Sequence, residues 1–113
     1  EMLEGYTPKI ETPCGTFYLT LNENEGKLYE VRMVIGKAGS CQRLLFETIA
    51  ILLSVLLQSN ISREIIQKTL QHQFESNCGN DKIRYKGEEY HSCIDYVITK
   101  IFEDMASRGE IEL

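Results

Sequence analysis

The hydrophobic period of this chain changes abruptly near residue 36, and that change constrains the fold more than any other feature. Thr16–Leu21 alternates, with Phe17, Leu19 and Leu21 on one face, and Leu28–Ile35 alternates with Tyr29, Val31, Met33 and Ile35 in phase. Between them lies the polar run Asn22-Glu23-Asn24-Glu25-Gly26-Lys27, so the segment predicts a β-hairpin. Gly36-Lys37-Ala38-Gly39-Ser40 then breaks the pattern. From Cys41 the spacing is helical, with Ser40 placed to cap.

The first helix is the most apolar segment. Leu44, Leu45, Thr48, Leu52, Val55 and Leu56 share a broad face that Ile49, Ala50 and Leu53 widen, which predicts a central helix covered on most sides. Gln58-Ser59-Asn60 ends it. Ser62 can cap a second helix with the stripe Ile65, Ile66, Thr69, Leu70 and Phe74, and with Glu64 in its first turn. Glu75–Tyr90 reads as a loop with a short strand at Lys82–Tyr85. A third helix starts near Ser92, with Ser92 and Asp95 as a capping pair, buries Ile94, Val97, Ile98, Ile101, Phe102 and Met105, and ends at Gly109. Residues 1–13, with Pro8 and Pro13, read as an extended lead-in. The expected architecture is α+β: a small antiparallel sheet, a hairpin plus a third strand, packed against about three helices. With 113 residues, one domain over 1–113 with a core of about 9–106 is expected.

A net charge of −5 argues against broad nucleic-acid binding. The longest apolar run, Leu44–Leu57, contains Glu47 and is too short to span a bilayer. The broadly apolar helix leaves room for a homo-oligomer interface. No secretory signal is visible, so reduced thiols in a cytoplasm are expected rather than two disulfides in one of three pairings. Residue 1 is Glu, which is consistent with excision from a longer chain.

The chain has four cysteines, Cys14, Cys41, Cys78 and Cys93, each at a break in the hydrophobic pattern beside Gly, Ser, Asn or Pro. Cys41 and Cys93 fall in the first turns of helices, where free amides and the dipole favour a thiolate. Four soft ligands at element ends suit a closed zinc site. The same thiols would also serve a redox pair or an Fe–S cluster. His91, two residues before Cys93, is a candidate additional ligand, although a solvated loop histidine is the simpler reading. His72 falls on a polar helix position. Gly36–Gly39 lacks the full P-loop pattern, and a turn that places Cys41 explains it better. Tyr85, Tyr90 and Tyr96 would line a ligand wall or, by default, a core. No catalytic centre is seen.

Several blocks carry a resemblance to a known family. The run Glu4-Gly5, then Lys9-Ile10-Glu11-Thr12-Pro13-Cys14-Gly15-Thr16-Phe17-Tyr18-Leu19-Thr20-Leu21-Asn22-Glu23, resembles the opening of the TSCPD domain. Gly36-Lys37-Ala38-Gly39-Ser40-Cys41 resembles its second block, and Cys78 falls where its third cysteine follows the second helix. The naming motif stands here as His91-Ser92-Cys93-Ile94-Asp95, with His and Ile in place of Thr and Pro. The resemblance covers about residues 3–105. It implies an intracellular, non-catalytic, metal-binding accessory module. Such modules occur near the C-terminus of adenosylcobalamin-dependent (class II) ribonucleotide reductases, enzymes of DNA synthesis, and as stand-alone four-cysteine proteins. It joins all four cysteines into one ligand set and implies a reductase catalytic domain, or another protein, as partner. A copy released from its enzyme would be a ligand-binding or protein-interaction module. The order of elements is also similar to that of iron–sulfur scaffold proteins, an analogy of fold alone.

Overall fold

The computed structural model describes residues 3–12, 15–36, 39–71, 83–85, 87–90 and 92–113. The chain is an α+β protein with a small antiparallel sheet and three helices. It divides into two compact units. The first comprises Glu1–Glu11 and Gly15–Ile61, the second Thr12–Cys14 and Ser62–Leu113.

The first unit is built on the predicted hairpin, β3 (Gly15–Asn24) and β4 (Lys27–Ile35). Phe17, Leu19 and Leu21 stand opposite Ile35, Met33 and Val31, and all six are buried, while Tyr18 and Arg32 point outward. This is the alternation of a sheet packed on one face. The turn is tighter than the polar run suggests. Strand pairing continues to Asn24–Lys27, leaving only Glu25 and Gly26, both at positive φ, as the two-residue loop. A primed turn matches the twist of the strands it joins.

The phase of β4 also differs from the expected one. Leu28, not Tyr29, is buried with Val31, Met33 and Ile35. The register slips at Asn22/Glu23, where Glu30 pairs with Asn22 and Leu28 with Glu23. Tyr29 is the extra residue of a β-bulge, and one inserted residue flips the alternation.

The lead-in is more structured than predicted. It forms β1 (Glu4–Tyr6) and β2 (Lys9–Thr12), both neighbours of β3. Since β4 occupies one edge of β3, the two short strands follow one another along its other edge. The Leu19 amide donates to the Pro8 carbonyl between them, at 3.1 Å. Gly5 explains part of the sequence block at Glu4-Gly5. It lies opposite Asn22, and a Cβ there would run into the Asn22 side chain and the Leu21 carbonyl and come within 2.7 Å of Asn22 Cα.

Helix α1 (Cys41–Leu57) packs along β4. It is not covered on most sides as expected, and of the residues expected inside only Ala50 and Leu53, which widen the expected face, are fully buried. Ala50, Leu53, Ser54 and Leu57 are buried and Phe46 meets Phe17 edge-on at 4.8 Å, whereas Leu44, Leu45, Ile51, Leu52 and Val55 are exposed. Ser54 accounts for the choice. Its hydroxyl accepts from the Val31 amide at 2.9 Å and donates to the Val31 carbonyl at 3.1 Å, and Gln58 Nε2 donates to the Tyr29 carbonyl. A small polar residue thus satisfies the outer edge of β4, and the helix turns to place it there.

In the second unit, α2 (Arg63–Gln71) is capped by Ser62, whose hydroxyl accepts from the Ile65 amide. Of its expected stripe only Ile66 is fully buried, Leu70 is half-buried, and Ile65 and Thr69 are exposed; Phe74 lies outside the described residues. The helix instead turns Arg63, Ile66, Gln67 and Leu70 inward. Arg63 Nε meets the buried Glu110 carboxylate at 2.9 Å, and Gln67 donates to the Glu112 carbonyl. The expected short strand is β5 (Ile83–Tyr85), but it pairs with β6 (Glu88–Tyr90) in a sheet of its own.

Helix α3 (Cys93–Ser107) is buried over Cys93, Tyr96, Val97, Ile98, Ile101, Phe102, Asp104 and Met105. Ile94, expected inside, is half-buried. The helix ends at Gly109 as predicted. The amides of Gly109 and Glu110 donate to the carbonyls of Ala106 and Met105, the paired pattern of a Schellman motif. Among the described residues, no helix is long and apolar enough to cross a membrane.

Candidate functional site

Cys41 and Cys93 occupy equivalent local positions. Each is the first helical residue after a serine N-cap. Ser40 Oγ accepts from the Arg43 amide at 3.2 Å, and Ser92 Oγ accepts from the Asp95 amide at 3.1 Å. Ser and Asn are favoured at this position because the short side chain satisfies an amide that the helix leaves free. Two further amides in each first turn point out along the axis, toward the positive end of the dipole.

Their surroundings differ. Cys41 is exposed and its thiol is free. It follows Gly36 and Gly39, both at positive φ, so the turn that delivers the chain to the helix is one that glycine accommodates. Cys93 is 2% exposed: although it stands at a break in the hydrophobic pattern, with Tyr96 and Val97 it heads the inward stripe of α3. Its sulfur is held in a disulfide, against the expectation of reduced thiols. Cys14, Cys78 and His91 lie outside the described residues, as does His72. Among the described residues no group of three or more His, Cys, Asp or Glu side chains is gathered to hold a metal.

The tyrosines near Cys93 form structure. Tyr90 and Tyr96 are both buried and meet edge to face at 4.5 Å. The Tyr90 hydroxyl donates to the Glu88 carboxylate. Burial, that hydrogen bond and the negative charge of Glu88 together push Tyr90 well above the ordinary tyrosine range. Lys100 Nζ lies 5.2 Å from the centre of the Tyr96 ring and 3.1 Å from Glu103. Burial opposes its charge, but the Glu103 carboxylate more than compensates and raises it above the usual lysine value.

A cleft of about 550 Å³ between β4 and α1 in the first unit has no counterpart among the sequence motifs. Glu30, Arg32, Arg43 and Glu47 line its rim, and Ile51 and Val55 its apolar wall. Arg43 and Glu47 pair at 2.9 Å and Arg32 and Glu30 approach to 3.6 Å, so the rim charges are matched within the chain.

The family model of the TSCPD domain matches residues 1–105, and the chain belongs to the TSCPD domain family. All four cysteines fall within the matched residues. No curated protein and no solved structure matches the chain.

Proposed function

We propose that this chain is a non-catalytic accessory domain that binds one zinc ion through Cys14, Cys41, Cys78 and Cys93. The carrying observation is membership of the TSCPD family over a span that includes all four cysteines. The like construction of the starts of α1 and α3 supports it. Two serine-capped helices each offer a sulfur in the first turn, where a thiolate is favoured, and thiolate sulfur is the donor that zinc prefers. A four-thiolate site is closed to substrate, so the metal would contribute folding free energy rather than chemistry. His91 is the reserve ligand. By the family's setting, the domain would serve a cytoplasmic cobalamin-dependent ribonucleotide reductase or act as a module recruited from one.

The disulfide at Cys93 favours a second reading, thiol redox chemistry. A disulfide sulfur cannot ligate, so zinc at Cys93 requires prior reduction, with two electrons and two protons taken up per disulfide. Elemental analysis of the reduced protein, purified without chelator, separates the readings. Zinc near one per chain, lost on oxidation, is the expected result. Metal near zero in the reduced state sinks the zinc site. Iron with visible absorption after anaerobic purification replaces it with a cluster.

A further inference from the structure

The outward face of α1 has the pattern of a helix that expects another helix. Leu44, Leu45, Ile51, Leu52 and Val55 are between 54% and 65% exposed. Leu45, Thr48, Leu52 and Val55 follow at intervals of three, four and three, the seam of a coiled coil, with Leu44 and Ile51 flanking one side and Ile49 and Leu56 the other. Thr48 fits this seam because its hydroxyl donates to the Leu44 carbonyl at 2.8 Å, which leaves the methyl to face outward. From Thr48 to Leu57 the helix carries no charged side chain.

The charge distribution selects the occupant. A membrane-surface helix is rich in Lys and Arg, whereas α1 has only Arg43, already paired with Glu47. Two copies of this chain, each with a net charge of −5, repel wherever their acidic surfaces meet. The uncharged seam lets them approach without like charges facing each other. A two-fold axis sets a patch against itself, so an aliphatic seam with aliphatic flanks is self-complementary. The area is also adequate. The five side chains expose on the order of 500 Å² per copy, so two copies would bury about 1,000 Å², the lower bound for a specific interface. The cleft borders this face, since Ile51 and Val55 belong to both its wall and the exposed face.

We infer that the chain forms a two-fold homodimer through antiparallel α1 helices. Leu45 of one copy packs near Val55 of the other, Thr48 packs against Leu52, and the opposed helix dipoles are mutually favourable. This interface is independent of the cysteines and stands or falls apart from the zinc reading. Sedimentation velocity on the full chain, from about 5 μM to about 500 μM, tests it across the micromolar range of weak specific dimers. The wild type should shift from monomer to dimer within that range. Leu52→Asp, on an exposed position and checked for unchanged circular dichroism, should stay monomeric throughout. Thr48→Leu, which fills the seam, should tighten the dimer at least about tenfold. A wild type that is monomeric at the highest concentration overturns the inference and hands the face to another occupant. So does a folded Leu52→Asp variant that dimerises like the wild type, or a Thr48→Leu variant with unchanged association.

Discussion

Helices α1 and α3 begin alike and end up in opposite situations. Both open on Ser-Cys, with the serine accepting from the amide three residues on. Yet α1, the more apolar in sequence, buries one narrow face, whereas α3, which carries Asp95, Lys100, Glu103 and Asp104, buries eight of its fifteen residues. Burial here follows where each helix must make polar contacts rather than how apolar it is. Ser54 holds α1 to the edge of β4. In α3 the buried Asp104 is paired with Arg108 at 2.8 Å, so its charge is not left uncompensated in the interior. Apolar surface left outside on α1 is then surface available to a partner.

The largest expected effect sharpens this contrast. Phe102→Ala in α3 should cost about 3–5 kcal/mol, as for other fully buried aromatics. Leu52→Ala in α1, at a concentration where the chain is monomeric, should change stability by less than about 0.5 kcal/mol. Equal losses in denaturant unfolding would break the comparison and return α1 to the interior. Next comes Ser54→Ala, which removes a buried hydroxyl satisfying both the amide and the carbonyl of Val31. A loss of about 2 kcal/mol is expected, with faster hydrogen exchange at the Val31 amide. If exchange there is unchanged, something other than Ser54 orients the helix.

The smallest effects test the likeness of the two starts. Ser40→Ala and Ser92→Ala should each cost about 1 kcal/mol in thermal unfolding. A cost at Ser92 alone would mean that the first turn of α1 is held mainly by the Gly36–Gly39 turn.

Much of the first unit was legible in the sequence because hairpin and helix periods are strong local signals. Ser40, Ser62, Ser92 and Gly109 were readable as caps because capping depends on one side chain and its nearest amides or carbonyls. What was not legible depended on partners distant in the chain. The pairing of β1 and β2 along β3 is signalled only by Gly5, whose need for close approach to Asn22 appears once the register is known. The bulge at Tyr29 hides in an unbroken alternation. The inward face of α1 is selected by Ser54, a residue that an apolar count ignores, and the inward turn of α2 by Arg63 reaching Glu110 near the end of the chain. Of the candidate site, the helix-start placement of Cys41 and Cys93 was readable, but the burial of Cys93 was not, because the serine before it marks a boundary rather than a face.

The central claim is that the four cysteines bind one metal ion together, and cobalt(II) titration of the reduced, metal-free chain tests it most directly. Cobalt takes the place of zinc in thiolate sites and reports tetrahedral sulfur ligation through its ligand-to-metal charge-transfer and d–d absorption. The bands should grow to saturation at one equivalent, disappear on adding zinc, and weaken or shift in each of Cys14→Ser, Cys41→Ser, Cys78→Ser and Cys93→Ser. A titration without charge-transfer absorption, or a wild-type spectrum retained by the Cys41→Ser and Cys93→Ser variants, would contradict it.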